Sequence, residues 1–256
     1  GSLARLNFPV KVAVDLARTV YVADSNNHTI RKITTGGLVM TLAGTPGTSG
    51  SADGVGAAAR FNTPYGIAVD SAGVVYVSDL GNSTIRRITP TGVVTTLAGT
   101  AGAAGFGDGT GAAAQFSPLY GLVVDPHGNV FVADDCRIRK ITPAGVVTTI
   151  AGGVPPIAPP ICTGGMDGVG NGARFAGARG IAIDSSGNLF VADGQQHAIR
   201  RMTPAGVVTT FAGQRGSPGM GDATGTDARF DTPWDVTIDN AGNLYVADNQ
   251  NQRVRK

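Results

Sequence analysis

Short runs of alternating apolar and polar residues, separated by turns that contain glycine, occupy the chain from end to end. One stretch shows the pattern: GIAVD at 66–70, VVYVSD at 74–79, TIRRI at 84–88 and VVTTLAG at 93–99. Residues 71–73, Ser-Ala-Gly, join the first two runs, and residues 89–92, Thr-Pro-Thr-Gly, join the last two. Glycine and proline are residues that hairpin turns use. The stretch therefore predicts a four-stranded antiparallel meander.

This pattern recurs five times. Aligned on the aromatic residue of the second run, the copies fall at Tyr21, Tyr76, Phe131, Phe190 and Tyr245, with separations of 55, 55, 59 and 55 residues. Because the register drifts so little, we interpret the chain as a single domain of five repeats. The repeats cover about 3–57, 58–112, 113–171, 172–226 and 227–256.

The repeats predict an all-β fold of the propeller type. One meander cannot bury both of its faces, whereas meanders packed face to face around an axis can do so. The fifth repeat stops before its fourth run, so the last blade lacks its outer strand. Two arrangements fit this pattern: a propeller of five blades, or five repeats of a six-bladed propeller.

The turn after the second run carries a family resemblance. Residues 24–30, DSNNHTI, resemble the Asn-His-Leu signature of NHL repeats, and Asn27, His28 and Ile30 stand in the matching places. The other repeats match this signature in part. The resemblance implies an NHL-repeat β-propeller with four-stranded blades, and it leaves the function open because the propeller fold supports many activities.

Composition and charge narrow the function classes. The chain has 39 Gly, 15% charged residues and a formal net charge of +2. No run approaches the roughly 18 apolar residues that a membrane-spanning helix needs. A basic pair recurs in the third run of every repeat, for example Arg86-Arg87, but an aspartate such as Asp79 recurs in register with it. Pairing between these charges explains the pattern, so the charge distribution does not favour a nucleic-acid partner.

The glycine-rich linkers between repeats contain an Asp-Gly element that is followed by Ala-Arg-Phe or Ala-Gln-Phe. A calcium loop needs several oxygen ligands at alternating positions, and each element offers one aspartate. We interpret the elements as structural caps, with a phenylalanine plug between neighbouring blades. The plugs are Phe61, Phe116, Phe175 and Phe230.

Both cysteines lie in the third repeat. Cys136 is in a shortened turn, and Cys162 is in a linker that is longer than the others. These two segments share one face of one blade, which predicts a disulfide. A disulfide in turn predicts an exported protein, either extracytoplasmic or secreted, and we expect a bacterial source.

The best candidate binding site is the face on which the linkers enter the innermost strands. There the chain places aromatic and charged side chains around the predicted channel mouth, a combination that suits sugars and peptides. An aromatic residue at this place can also serve simply to pack against the next blade. The candidate residues are Lys11, Tyr65, Tyr120, Arg179, Trp234 and Asp235.

A second set of polar side chains comes from the turns on the same face. We expect these side chains to form a rim that adds hydrogen bonds to a ligand, although amides in turns often cap their own backbone. The rim residues are Asn27, His28, Asn82, His197 and Asn251.

The sequence offers few candidate catalytic residues. The chain has three histidines and no metalloprotease or nucleophile-elbow motif. We therefore predict no catalytic residue, metal site or cofactor, and we expect a non-catalytic recognition or scaffold module that binds a peptide, protein or glycan. The alternatives are a hydrolase or lyase with its site in the channel, and an engineered or partial propeller without a selected ligand. The incomplete last blade also offers an edge for self-association.

Overall fold

The computed structural model describes residues 4–153, 162 and 164–256. The chain divides into two compact units. One unit contains residues 1–130 and 141–148, and the other contains residues 131–140 and 149–256. Five antiparallel sheets follow one another along the chain and form the five blades of a β-propeller. The predicted fold class is confirmed, including a last blade with three strands.

Strands β1 to β9 form the first two blades. In the first blade the order β1-β2-β3-β4 follows the chain, and the second blade has the order β5-β9-β8-β7-β6. The bounds are β1 Pro9–Val14, β2 Val20–Asp24, β3 Thr29–Ile33, β4 Val39–Ala43, β5 Gly54–Val55, β6 Pro64–Val69, β7 Val75–Asp79, β8 Thr84–Ile88 and β9 Val93–Ala98.

Strands β10 to β22 form the other three blades. The third and fourth sheets have the orders β10-β14-β13-β12-β11 and β15-β19-β18-β17-β16, and the last has the order β20-β21-β22. The bounds are β10 Gly109–Thr110, β11 Leu119–Val124, β12 Val130–Asp134, β13 Arg137–Ile141, β14 Val146–Ala151, β15 Gly168–Val169, β16 Ala178–Ile183, β17 Leu189–Asp193, β18 Ala198–Met202, β19 Val207–Ala212, β20 Pro233–Ile238, β21 Leu244–Asp248 and β22 Arg253–Arg255.

Helical structure among the described residues is confined to three-residue 3₁₀ turns in the linkers and between second and third strands. These turns are Ser25–Asn27, Gly56–Ala58, Leu80–Asn82, Gly111–Ala113, Gly170–Gly172, Gly194–Gln196 and Gly225–Asp227.

The linkers contribute a strand that the pattern did not predict. The two residues of β5 pair with β9, through Gly54 with Val94 and Val55 with Val93. The linker thus folds along the outer edge of the blade that follows it. A two-residue segment is too short to show the alternation that marks a strand in sequence, and β10 and β15 repeat the arrangement.

All four phenylalanine plugs are buried. Phe61 is fully buried and packs with Tyr21 and Ala23 of the first blade and with Val75 and Val77 of the second. In the second unit Phe230 packs in the same way in a cluster that includes side chains from both β17 and β21. Phe61 and Phe230 therefore join neighbouring blades through apolar contact, as the sequence predicted.

The first and last blades each keep an exposed apolar face. Val12 on β1 is 57% exposed, whereas Ile67, its equivalent in the second blade, is 2% exposed because it packs against the first blade. Val254 on β22 is 76% exposed, whereas its equivalent Ile199 in the fourth blade is 1% exposed.

The hairpin turns between first and second strands use an aspartate, as predicted. Asp184 accepts backbone N–H bonds from Ser186 at 2.9 Å and from Asn188 at 2.8 Å, and the Asn188 side chain adds a third bond at 2.7 Å. Burial acts to raise the pKa of Asp184, but these hydrogen bonds outweigh it and hold the pKa below the usual value.

Acid is therefore expected to weaken these turns. Because the pKa of Asp184 is lower in the folded protein than in the unfolded chain, its stabilising contribution is complete above about pH 4 and is lost as the pH falls further. Urea denaturation between pH 5 and pH 2.5 should show a smaller decline in unfolding free energy for Asp184→Asn than for the wild type. Replacing the exposed Asp227 by Asn is the control and should keep the wild-type slope; equal slopes for all three proteins would contradict this reading.

Candidate functional site

The predicted binding residues lie at the start of the innermost strands, and all of them are half-buried. They come from two consecutive positions of the innermost strand. The first position holds Val10, Tyr65, Tyr120, Arg179 and Trp234 in the five blades, and the second holds Lys11, Gly66, Gly121, Gly180 and Asp235.

Tyr65 and Tyr120 form what we call the tyrosine patch. Their ring centroids are 5.5 Å apart, and the planes meet edge to face at 75°. The backbone beneath the rings is close-packed, because a Cβ atom on Gly66 would lie 2.3 Å from the carbonyl oxygen of Tyr120. Ser78 bridges the same strands: its Oγ accepts from Gly66 N–H at 2.6 Å and donates to the Tyr120 carbonyl at 2.7 Å. The patch is therefore held on a rigid base.

Arg179, Trp234 and Asp235 form a second group, the Arg–Trp patch, within the other unit. The guanidinium carbon of Arg179 lies 3.9 Å from the centroid of the Trp234 ring, a cation–π stack. Asp235 Oδ1 accepts the backbone N–H of Val236 at 2.9 Å, which fixes the carboxylate beside the stack. The patch thus combines a flat aromatic surface with one cation and one anion.

The rim amides are engaged by buried carboxylates. Asn82 Nδ2 donates to Asp79 at 2.7 Å and to the Gly50 carbonyl at 2.7 Å. Asn27 donates to Asp24 and Asn251 to Asp248 in the same way, both at 2.8 Å. These side chains tie the turn to its own blade and to the preceding linker.

The two rim histidines have equivalent positions. Nδ1 of His28 accepts the backbone N–H of Thr63 at 3.1 Å, and Nδ1 of His197 accepts that of Thr232 at the same distance. Each histidine has a positive φ, 56° and 55°, and ends a 3₁₀ turn. Both imidazoles therefore link a turn to the linker that leads into the next blade.

The two residues of each recurring basic pair have different roles. The first residue of each pair bonds to the recurring aspartate, in the pairs Arg31–Asp24, Arg86–Asp79, Arg139–Asp134, Arg200–Asp193 and Arg255–Asp248, at 2.6 to 3.1 Å. The second residue often lies over an aromatic ring of the neighbouring strand, as Lys32 does over Tyr21 at 5.8 Å. The basic pattern is therefore structural, as predicted from the acids in register.

Arg86 shows the full set of contacts. It is fully buried and donates to Asp79 at 2.9 Å, to Asp53 at 2.8 Å, and to the carbonyls of Arg60 at 2.8 Å and Ala52 at 3.0 Å. Its guanidinium also lies 5.1 Å from the centroid of the plug Phe61. One side chain therefore joins the linker, the plug and two strands.

Burial raises the pKa of Asp79 and of Asp193 to about 6, against the opposing effect of the arginine and of backbone N–H donors. Both carboxyl groups remain mainly ionised at neutral pH.

The Asp-Gly elements at Asp53 and Asp167 are structural caps. Asp53 accepts from Arg86, from Thr96 N–H at 3.1 Å and from Thr96 Oγ1 at 2.9 Å. Asp167 likewise accepts from Arg200 and, at 3.0 Å, from Thr210. The sequence analysis missed the threonine partners, although an aspartate followed 43 residues later by a threonine of the Val-Val-Thr-Thr run was a usable signal.

Cys136 and Cys162 are joined by a disulfide, with their Cα atoms 5.3 Å apart. Much of the linker that precedes Cys162, residues 154–161, lies outside the described residues. Asp135 lies next to the two sulfur atoms, and this trio is the single cluster of metal-ligand type in the described part of the chain. Because the disulfide uses both sulfurs, the cluster does not constitute a metal site.

No helix in the described ranges is both long and apolar enough to cross a membrane.

Comparison with known proteins gives the same fold. A solved auxiliary nutrient binding protein from Bacteroides ovatus superposes with a TM-score of 0.72 at 20% identity, over 98% of this chain and 59% of that one. Virginiamycin B lyase from Staphylococcus aureus superposes with a TM-score of 0.61 at 17% identity, over 96% of this chain and 65% of that one. At such identities the likeness shows the fold alone.

Sequence comparison identifies the repeat. NHL repeat-containing protein 2 from Gallus gallus is 29% identical over 98% of this chain, which spans 38% of that protein. The family model for the NHL repeat matches residues 6–33, 61–88 and 230–256. Together with the five-bladed fold, these matches confirm the predicted resemblance of the chain to NHL-repeat β-propellers.

Proposed function

We propose that this protein is a non-catalytic recognition module that binds a peptide, protein or glycan through the side chains at the start of its innermost strands. The observation that carries the proposal is the variation of this position among the repeats. It holds a different type of side chain in most blades, from Val10 to Tyr65, Arg179 and Trp234. By contrast, a core position on the second strand, directly after the aromatic residue on which the repeats are aligned, is valine in every blade. These residues are Val22, Val77, Val132, Val191 and Val246.

The contrast between these two positions distinguishes a residue that folding requires from a residue that is available for recognition. If packing between blades dictated the first position, the near-identical repeats would place near-identical residues there, as they do at the core valines. The position is instead half-buried and variable. Half-buried aromatic and arginine side chains on a rigid strand are the residue types that dominate binding surfaces.

The two patches suit different ligand groups. The tyrosine patch offers aromatic edges and hydroxyl groups for an apolar sugar face or an aliphatic side chain. In the other unit, the Arg–Trp patch offers a cation for a carboxylate and an anion, Asp235, for an amine or hydroxyl group. Neither patch contains a histidine, the side chain that acts most often as a general acid or base.

Both a nutrient-binding protein and a lyase share this fold, so the fold alone does not choose between binding and catalysis. The composition of the patches supports binding. The disulfide supports export of the protein from the cytoplasm. An exported protein would meet its peptide or glycan ligand outside the cytoplasm.

A glycan and peptide array tests the proposal. The wild type should bind a restricted set of ligands, and Trp234→Ala should weaken that binding at least about 30-fold if Trp234 is a hot spot. The combined Tyr65→Ala and Tyr120→Ala variant tests the other patch. Phe211→Ala is a matched control because Phe211 is an aromatic residue, 45% exposed, on an outer strand. Folding of each variant is checked by circular dichroism, and unchanged binding by folded patch variants would contradict the proposal.

A further inference from the structure

The turn between β12 and β13 in the third blade differs from its equivalents in the other repeats. It consists of Asp135 and Cys136 alone, whereas a three-residue 3₁₀ turn stands there in the first, second and fourth blades. The disulfide from Cys136 to Cys162 ties this short turn to the linker that leads into the fourth blade. The turn is therefore cross-linked close to the start of β16, which carries Arg179 of the Arg–Trp patch.

Asp135 lies on one side of Arg179. Its backbone carbonyl accepts the N–H of Ala178, the residue that precedes Arg179, at 2.7 Å. Its carboxylate Oδ2 lies 2.8 Å from Sγ of Cys162, so this carboxylate is held at the cross-link. Burial raises the pKa of Asp135, and the positive charge of Arg179 opposes that rise. Asp135 and Arg179 are therefore close enough for their charges to interact.

Asp235 lies on the other side of Arg179. A Cβ atom on Gly180, the residue that follows Arg179, would lie 2.3 Å from Asp235 Oδ1. The carboxylate thus lies directly against the backbone of Gly180, and the absence of a side chain there makes room for it. Asp135 comes from the blade before Arg179 and Asp235 from the blade after it. The guanidinium that stacks on Trp234 is therefore flanked by two carboxylates.

The charges at this place favour a positively charged ligand group. Arg179 supplies one positive charge, whereas Asp135 and Asp235 supply two negative charges. Asp231, on the segment that leads to Trp234, adds a third carboxylate, which lies 3.4 Å from the imidazole of His197. A ligand carboxylate would meet more anions than cations here. A ligand cation would meet carboxylates and an aromatic ring, and both attract positive charge.

We propose that the Arg–Trp patch, completed by Asp135, recognises the basic side chain of a peptide or protein ligand, a lysine or an arginine. The inference rests on the proposed function and selects one chemical class among the ligand groups considered there. Asp135 and Asp235 accept hydrogen bonds from the ligand cation, and the ring of Trp234 packs against its aliphatic stem. Arg179 lies between the two carboxylates and favours the ionised form of both. The disulfide fixes the turn that carries Asp135.

The test uses the fluorescence of Trp234, which is the single tryptophan of the chain and therefore reports on the patch directly. The whole chain is titrated with the Nα-acetyl amides of lysine, arginine, glutamine and glutamate. We expect a saturable change with the lysine and arginine compounds. The neutral glutamine compound should bind at least about tenfold more weakly, because hydrogen bonds between charged partners are the stronger ones. The glutamate compound should give no saturable change.

Matched variants of the protein locate the contact. Asp135→Asn and Asp235→Asn should each weaken binding of the lysine compound about threefold to tenfold, because each keeps the side-chain shape and removes one charge. Each should also reduce the preference for the lysine compound over the glutamine compound. Asp227→Asn is the control, an exposed carboxylate in the linker before the fifth blade, and should keep the wild-type affinity. Folding of each variant is checked by circular dichroism.

The outcomes separate this inference from the proposed function. Equal binding of the lysine and glutamine compounds, or stronger binding of the glutamate compound, would overturn the inference and leave recognition at this patch intact. Equal affinity of Asp135→Asn, Asp235→Asn and the wild type for the lysine compound would overturn it too. If none of the four compounds changed the fluorescence, the inference would also be wrong, whereas the proposed function would still be decided by the array and by Trp234→Ala.

Discussion

Replacement of Arg86 by methionine is expected to lower the free energy of unfolding by about 3–5 kcal/mol. The arginine is fully buried and holds Asp79, itself fully buried, and Asp53 from the linker. Methionine keeps much of the side-chain volume but removes every donor, so the Asp79 carboxylate stays buried without its cation. Lysine should not rescue the loss, because a single ammonium cannot reproduce the planar fork that reaches both carboxylates and two carbonyls.

The neighbouring residue supplies the control. Arg87→Met changes the same residue type on the same strand at a half-buried position, and we expect a loss of at most about 1 kcal/mol. Both variants are measured by urea denaturation at pH 7. The double variant Arg86→Met with Asp79→Asn should recover part of the loss, since the buried charge is gone. Equal losses for Arg86→Met and Arg87→Met would show that the ion pair does not stabilise the blade.

Removal of the disulfide is expected to cost about 3 kcal/mol of unfolding free energy. The cross-link joins cysteines that are 26 residues apart, and a closed loop of this size restricts the unfolded chain by about that amount. The measurement compares wild type and the double variant Cys136→Ser with Cys162→Ser, each with and without dithiothreitol. The reductant should lower the denaturation midpoint of the wild type alone. A midpoint that the reductant leaves unchanged in the wild type would contradict the expectation.

The fold was predictable because the repeat carries redundant information. Five aligned copies fix the register of Tyr21, Tyr76 and their equivalents, so an error in one copy is corrected by the others. The Arg–Asp pairing was predictable for the same reason, since Asp79 and Arg86 recur together. The added strands β5, β10 and β15 were not predictable, because two residues carry no periodicity and their pairing depends on the course of the linker.

The candidate site was predictable in position but not in geometry. The pattern placed Tyr65 and Trp234 at the start of innermost strands, where the structure has them. Their partners, Tyr120 at 5.5 Å and Arg179 at 3.9 Å, depend on the spacing between blades, which no local pattern encodes. The amides of the rim turns were expected to face a ligand. Their hydrogen bonds to buried carboxylates such as Asp79 arise because such a carboxylate needs several donors.

The central claim is that side chains at the start of the innermost strands recognise a ligand. The most direct test is a calorimetric titration of the strongest array ligand against wild type, Trp234→Ala and Phe211→Ala, with folding of each checked beforehand. The account predicts that Trp234→Ala raises Kd at least about 30-fold while Phe211→Ala leaves it within about twofold of the wild type. Equal affinity of all three folded proteins would contradict recognition at this position.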